Sequence, residues 1–542
     1  DFLSWGVSNY PSERMGLILW DHGSGSINGV CFDEQYDYDS LTLGELDHAL
    51  NQVYDQMTDR FEFIGFDACL MSTLETANVL TPYARYMYAS QEMEPGSGWD
   101  YTSLLNNLAA NPDQDGAQLG EKVCREYYDH CADYGFGSQR SATFSIIDLS
   151  KIDDVLISMN EAFRVVYEQG DLGDVTRAVL EADSFGGNSV SEGYSNMLDL
   201  GNMLDQLSGY GQEVRDASQT LQSCVLYTMN GRLHKNASGL SVYYPVSIQG
   251  SEELKIFSQI CPSNYYYALI DKIAYGAENG SAADYDNSTL LSDMADINEW
   301  LGEESGFTGD VSTNAGEFAD IEIGQMGVSD IYFDEDGIYT VSFDNMDELA
   351  YACCSVGMDD DADGFFYLGT TEEVIYDIDR NCVTDNFDGL WPCINDNLLA
   401  LELVNTTDSC SIYTCNVLLN DEIETNLRIE YDWEYDEWSV IGIWDGIDEE
   451  TGMASREVYE LQDGDVITPA YYWFSVDDDE DWYYGDDIVV DGDLEITYEY
   501  LPEGVYYYCF ELHDIYGNVY YTPFTLQYVD EDGEVWVDGE FY

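Results

Sequence analysis

Residues 61–71 read FEFIGFDACLM. Phe61, Phe63, Ile64 and Phe66 are large or branched and apolar, and the run stops at the polar Asp67. A short apolar run closed by a polar residue reads as a parallel strand buried on both faces. Open α/β sheets place their chemistry beyond the carboxyl ends of such strands. Cys69 stands there, which makes it a candidate nucleophile. Taken alone, a cysteine in this setting is more often a small buried apolar residue.

A second apolar run, GLILW at 16–20, also ends in a polar burst, Asp21-His22-Gly23-Ser24-Gly25. The spacing between the two runs predicts a helix from about Thr42 to Met57. Thr42 and Glu45 have capping-box spacing, and Leu43, Leu46, Leu50, Val53 and Met57 share one face. Strand, helix and strand form a right-handed parallel crossover. Neighbouring parallel strands lie ~4.8 Å apart, so His22 and Cys69, each just past a strand end, come within reach of one another. Thiol hydrolysis needs a sulfur nucleophile, a base and donors for the oxyanion. Cys69 supplies the sulfur, His22 the base, and the backbone N–H groups of Gly23 and Cys69 an oxyanion hole. That chemistry requires no cofactor.

Composition narrows the class. The chain has 542 residues, too many for one core. Its 108 Asp and Glu against 17 Lys and Arg exclude nucleic acid as a partner, because phosphate binding needs clustered cations. The acidic balance fits a secreted protein, or one that attracts cationic substrates. No apolar run of ~18 residues predicts a membrane span. Of the thirteen cysteines, Cys124 and Cys131, Cys353 and Cys354, Cys382 and Cys393, and Cys410 and Cys415 sit close in sequence without a paired CxxC zinc pattern. Disulfides are therefore expected.

Helices and short strands alternate to about residue 275, giving an α/β domain with a mostly parallel sheet over 1–280. A linker and helix are expected at 281–304. Beyond it, alternating Tyr-, Phe- and Val-rich runs predict an all-β, sandwich-like C-terminal region, divided into modules at 305–425 and 426–542. Asp359, Asp361 and Asp363 have the oxygen-rich spacing of a calcium loop, and a structural calcium is expected there.

The segments LILWDHGSG (17–25) and FIGFDACLMS (63–72) resemble the His and Cys motifs of the clostripain family of cysteine peptidases. YASQEMEPGSGWDY (88–101), FSIIDLSKI (144–152), MLDLGNML (197–204) and ASGLSVYYP (237–245) follow in the order found in that family. The resemblance covers about residues 5–275 and implies a caspase-like fold with His22 and Cys69 as the catalytic pair. It also implies that Asp67 lies in the primary specificity pocket and pairs with Arg or Lys of a protein or peptide substrate. Ser90, Gln91 and Glu92 would form a pocket wall. Members are often activated by self-cleavage at a basic residue between the two motifs, yet residues 21–59 hold no Lys or Arg, and Arg60 is the only candidate between His22 and Cys69. Caspase-like sheets also carry strands upstream of the His strand, so an N-terminal fragment of the same precursor is an expected partner.

The expected protein is a secreted endopeptidase cleaving after Arg or Lys. The competing reading is a catalytically inactive scaffold whose β modules bind a surface, a glycan or a protein.

Overall fold

The computed structural model describes residues 2–279 and 326–542, apart from short stretches such as 133–135, 361–363 and 476–479. The expected linker at 281–304, with Asp361 and Asp363 of the expected calcium loop, lies outside the described residues.

The N-terminal half is built on a five-stranded sheet. In chain order its main elements are β1 (Gly16–Trp20), α1 (Leu43–Tyr54), β2 (Phe61–Asp67), α2 (Leu74–Leu80), β3 (Ala84–Ala89), α3 (Tyr101–Ala110), α4 (Gly116–Cys131), β4 (Thr143–Asp148), α5 (Ile152–Gln169), α6 (Gln212–Cys224) and β5 (Val225–Asn230). The strands lie side by side in the order β1-β2-β3-β4-β5. β1, β2 and β3 pair in parallel, with Trp20 opposite Asp67. β4 runs antiparallel to both β3 and β5. Only two of the four pairings are therefore parallel, which corrects the expectation of a mostly parallel sheet. The reason is local: α3 and α4 intervene between β3 and β4, and the chain re-enters from the opposite end.

α1 starts where the sequence predicts. The Thr42 hydroxyl accepts the Glu45 N–H at 3.3 Å, and Glu45 Oε2 accepts the Thr42 N–H at 3.1 Å. Leu43, Leu46, Leu50 and Val53 are buried beneath it. Leu43, Leu46 and Leu50 join Phe61, Ile64 and Phe66 of β2 and residues of α2, α5 and α6 in one core. On the other face Phe63 stacks on Tyr88 at 4.4 Å and packs with Trp99 and residues of α3 and α4. The sheet is thus sandwiched between helices, as the two-sided apolar strand β2 demands.

The C-terminal half is all β among the described residues. Its largest sheet has 14 strands, including β6 (Leu349–Asp359), β7 (Gly364–Thr371), β8 (Leu401–Thr406), β9 (Cys410–Leu419), β10 (Ile423–Asp432), β11 (Glu437–Trp444), β12 (Val458–Tyr459) and β13 (Gly504–Asp514). The strand path runs β12-β11-β10-β9-β8-β7-β6-β13. β9 and β10 form a hairpin in register from Cys410↔Asp432 to Leu419↔Ile423. The expected boundary at 425/426 falls inside β10, so modules 305–425 and 426–542 share one continuous sheet.

All thirteen cysteines are free, against the expectation of disulfides. Adjacent Cys353 and Cys354 lie on one strand, β6, and so point to opposite faces. Cys410 and Cys415, at odd spacing on β9, do likewise. Cys382 and Cys393 belong to different sheets. Proximity in sequence does not bring these sulfurs together.

Salt bridges fasten the two halves. Arg428 of β10 is buried and grips Glu192 through Nε at 2.9 Å and Nη2 at 2.6 Å, with its guanidinium 4.2 Å from the Trp444 ring centroid. Arg232 meets Asp432 at 2.6 Å, and Arg140 pairs with Glu430. In a chain with 17 basic residues, their concentration on this seam is a notable use of scarce charge.

Candidate active site

β1 and β2 end in register, and the turns beyond them carry His22 and Cys69. Asp21 stands at φ +150° and Leu70 at φ +63°, so each candidate residue adjoins a non-glycine residue in a sparsely populated conformation. Such outliers persist only where the surroundings hold them. Here the His22 carbonyl accepts the Cys31 N–H at 2.8 Å, and the Leu70 and Ser72 N–H groups donate to Glu92 O and Ser90 O. Gly23 lies tight against the Cys69 turn: a Cβ on it would meet Cys69 O at 2.4 Å.

Cys69 is buried, and its Sγ accepts the Glu94 N–H at 3.2 Å. Burial pushes its thiol up to about 12, against a smaller opposing pull from the Arg456 charge. The thiol is therefore neutral at neutral pH in this state. His22 Nδ1 faces the carbonyl of Ala454 at 2.9 Å.

Because β2 stops at Asp67 and the chain leaves the sheet at Ala68, Asp67 and Cys69 do not share a strand face. Asp67 is buried. Its Oδ2 accepts the Tyr101 hydroxyl at 2.8 Å and the Trp99 N–H at 3.3 Å, and its Oδ1 accepts Arg456 Nη2 at 2.7 Å. Gly98, at φ +63°, presses on this carboxylate so closely that a Cβ would sit 2.4 Å from Oδ1.

Of the expected wall residues, Ser90 donates to Thr143 O at 2.7 Å, Gln91 bridges Asp199 Oδ2 and the Gly239 N–H, and Glu92 pairs with His234 at 3.2 Å. All three side chains are buried and tied to neighbouring elements. The residue from that stretch that does reach Asp67 is Glu94. It is fully buried, and burial together with the Asp67 charge raises its pKa well above the usual carboxylate range. It lies two positions past the quoted triad in an acidic motif, a signal the sequence did contain.

His234 is buried between Glu92 and Asp183, which raise its pKa well above the ordinary value even though burial itself acts to lower it. Elsewhere Cys353, Glu511 and His513 bring metal-ligand atom types together. There the Glu511 carboxylate already accepts from Ser355 and meets His513, each at 2.8 Å.

The model of the clostripain family matches residues 1–282. The chain belongs to the clostripain family. Its α/β half is therefore that of a cysteine peptidase. Among solved structures, it is similar to a secreted C11 cysteine protease from Bacteroides thetaiotaomicron in complex with an irreversible peptide inhibitor. The two are 20% identical over 48% of this chain and 74% of that one, with a TM-score of 0.36. An inactive zymogen C11 protease from Parabacteroides distasonis is 17% identical over 49% and 72%, with a TM-score of 0.35. A clostripain from Bacteroides thetaiotaomicron in complex with a peptide inhibitor is 18% identical over 44% and 98%, with a TM-score of 0.34. No curated protein matches the chain. No described helix is long and apolar enough to cross a membrane.

Proposed function

We propose that this chain is a secreted cysteine endopeptidase that cleaves after Arg, and after Lys as a second choice. The observation that carries the specificity is the seat of Arg456. A buried guanidinium meets a buried carboxylate two residues before the cysteine, in the relation a substrate arginine would take. Charge-assisted pairing of this kind favours the planar guanidinium over other side chains.

In the proposed reaction the Cys69 thiol passes its proton to His22, and sulfur attacks the carbonyl carbon after the basic residue. The N–H groups of Gly23 and Cys69 hold the oxyanion. As the C–N bond breaks, His22 protonates the leaving amine. Water, deprotonated by His22, then attacks the thioester and restores the thiol. Secretion is supported by the acidic composition and by the Bacteroides relative being described as secreted.

The test is hydrolysis of an Arg-ended reporter peptide by an Arg456→Ala variant, whose pocket is empty. Adding Cys69→Ala or His22→Ala is expected to abolish turnover. Undiminished hydrolysis by either double variant would overturn the dyad, and preference for an Asp-ended reporter would overturn the specificity.

A further inference from the structure

The loop that joins β11 to β12 crosses from the β sheet into the candidate active site. It is a compact hairpin in its own right. Ile447 and Ala454 form an antiparallel bridge, Asp448 N–H donates to Met453 O at 3.0 Å, and Thr451 N–H and hydroxyl both donate to Asp448 Oδ1. Trp444 at its base donates to Ser455 O at 2.9 Å. The loop is also built into the α/β half. Ile447 N–H donates to Glu192 O at 2.7 Å, and Trp444, Ile447 and Ala454 share one buried cluster with Cys69, Leu70, Met93 and Phe185.

We propose that this loop is an in-chain inhibitor, with Arg456 occupying the pocket meant for a substrate's basic residue and the Ala454 carbonyl occupying His22. The inference rests on the reading of Cys69, His22 and Asp67 given above and adds that the full chain is latent until the loop is displaced.

Three observations favour an inhibitor over a substrate bound in cis. First, His22 is engaged by the carbonyl two residues before Arg456, whereas a scissile bond follows the basic residue. Secondly, the thiol is sealed from solvent, which leaves no water to complete hydrolysis. Thirdly, the occupancy is imperfect: Arg456 Nε is buried without a hydrogen-bond partner. Unmet buried polar groups cost the docked state free energy, so a better-fitting ligand or cleavage of the loop can release it. Burial is also what suppresses the thiolate, and undocking admits water.

The experiment alkylates the full chain with iodoacetamide and follows the Cys69 peptide by mass spectrometry, alongside turnover of an Arg-ended reporter. The parent is expected to label slowly and Arg456→Ala at least about 10-fold faster, with Arg456→Lys staying close to the parent. A second variant replaces residues 451–456 by Gly and Ser at equal length, so that the result does not depend on one substitution folding. Equal labelling of the parent and both loop variants would overturn the proposal. A Cys69-dependent cut after Arg456 in freshly prepared parent would overturn the inhibitory mode. Fast labelling without reporter turnover would leave the inhibitor standing and sink the proposed peptidase specificity, so the two readings fail separately.

Discussion

The Tyr101 hydroxyl donates to Oδ2 of Asp67 across 2.8 Å, which leaves Oδ1 for the guanidinium of Arg456 at 2.7 Å. The carboxylate is thus held by one oxygen and used by the other. Hydrogen bonds to a charged group contribute ~1.5–3 kcal/mol. In the Arg456→Ala background, Asp67→Asn is expected to lower kcat/KM for an Arg-ended reporter by about 10- to 100-fold, mainly through KM. Tyr101→Phe, which removes only the hold, is expected to cost several-fold. Steady-state kinetics of the two variants checks the order.

Gly98 allows the pocket to close on Asp67. An alanine there must adopt φ +63° and place Cβ 2.4 Å from Oδ1. A left-handed non-glycine residue costs ~1–2 kcal/mol, and the carboxylate must shift as well. Gly98→Ala is expected to lower the melting temperature by several degrees and to weaken Arg selectivity, while Gly44→Ala, in open space on α1, leaves selectivity alone and does not lower the melting temperature, since alanine is favoured over glycine in a helix.

Burial and the Asp67 charge raise the pKa of Glu94 well above the usual carboxylate range, which favours its protonated form. Glutamine carries the same shape without an ionisable proton. Glu94→Gln is therefore expected to leave stability within about 1 kcal/mol of the parent, whereas Glu94→Ala opens a cavity and costs more than 1 kcal/mol. Urea denaturation separates the two, and a large loss in Glu94→Gln would contradict the upward shift.

Two further buried carboxyls set the pH dependence of stability. Burial raises Glu75 from 4.5 to about 7 and Asp199 from 3.8 to about 6. Each folded value lies above the unfolded one, so the folded state keeps protons that the unfolded chain has released. The stabilising contribution is complete below about pH 4 and is lost as pH rises through 6 and 7. At about 1.4 kcal/mol per pH unit, the loss for Glu75 alone is on the order of 3 kcal/mol. The urea midpoint is expected to fall between pH 5 and 8, and Glu75→Gln to flatten that fall.

The seam offers a contrast between breaking and replacing a buried pair. Arg428→Met strands the Glu192 carboxylate, whose side chain is fully buried, and is expected to cost ~3–5 kcal/mol. Removing both charges in Arg428→Met with Glu192→Met is expected to recover most of that loss. A double-mutant cycle by thermal melting gives the answer.

The paired strands were legible because β2 is apolar on both sides and both runs end in abrupt polar bursts. That crossover puts His22 and Cys69 just past neighbouring strand ends, whereas the role read for Asp67 rests on the resemblance to the clostripain family. The antiparallel entry of β4 was not legible, since strand direction depends on how α3 and α4 route the chain, and Ala142 to Ile147 reads as apolar either way. Disulfides failed because face parity on a strand, not sequence distance, decides whether two sulfurs meet. Ser90, Gln91 and Glu92 make a buried hydrogen-bond network that the sequence does not single out, because polar residues after a strand suit such a network as well as a pocket wall. Arg456 had a signal: a single Arg among small residues, after the turn-rich GIDEETG, in a chain short of basic residues. Nothing local ties it to Asp67.

Arg456 lies 389 positions after Asp67, and that separation sets an order of events during synthesis. At ~5–20 residues per second, roughly 20 to 80 s pass between the appearance of the carboxylate and that of the guanidinium. The α/β half is complete near residue 279, so it spends roughly the last 9 to 35 s of that interval able to fold with its pocket unfilled. The growing chain is thus at its least restrained before it is finished, and completion of the last third is what quiets it.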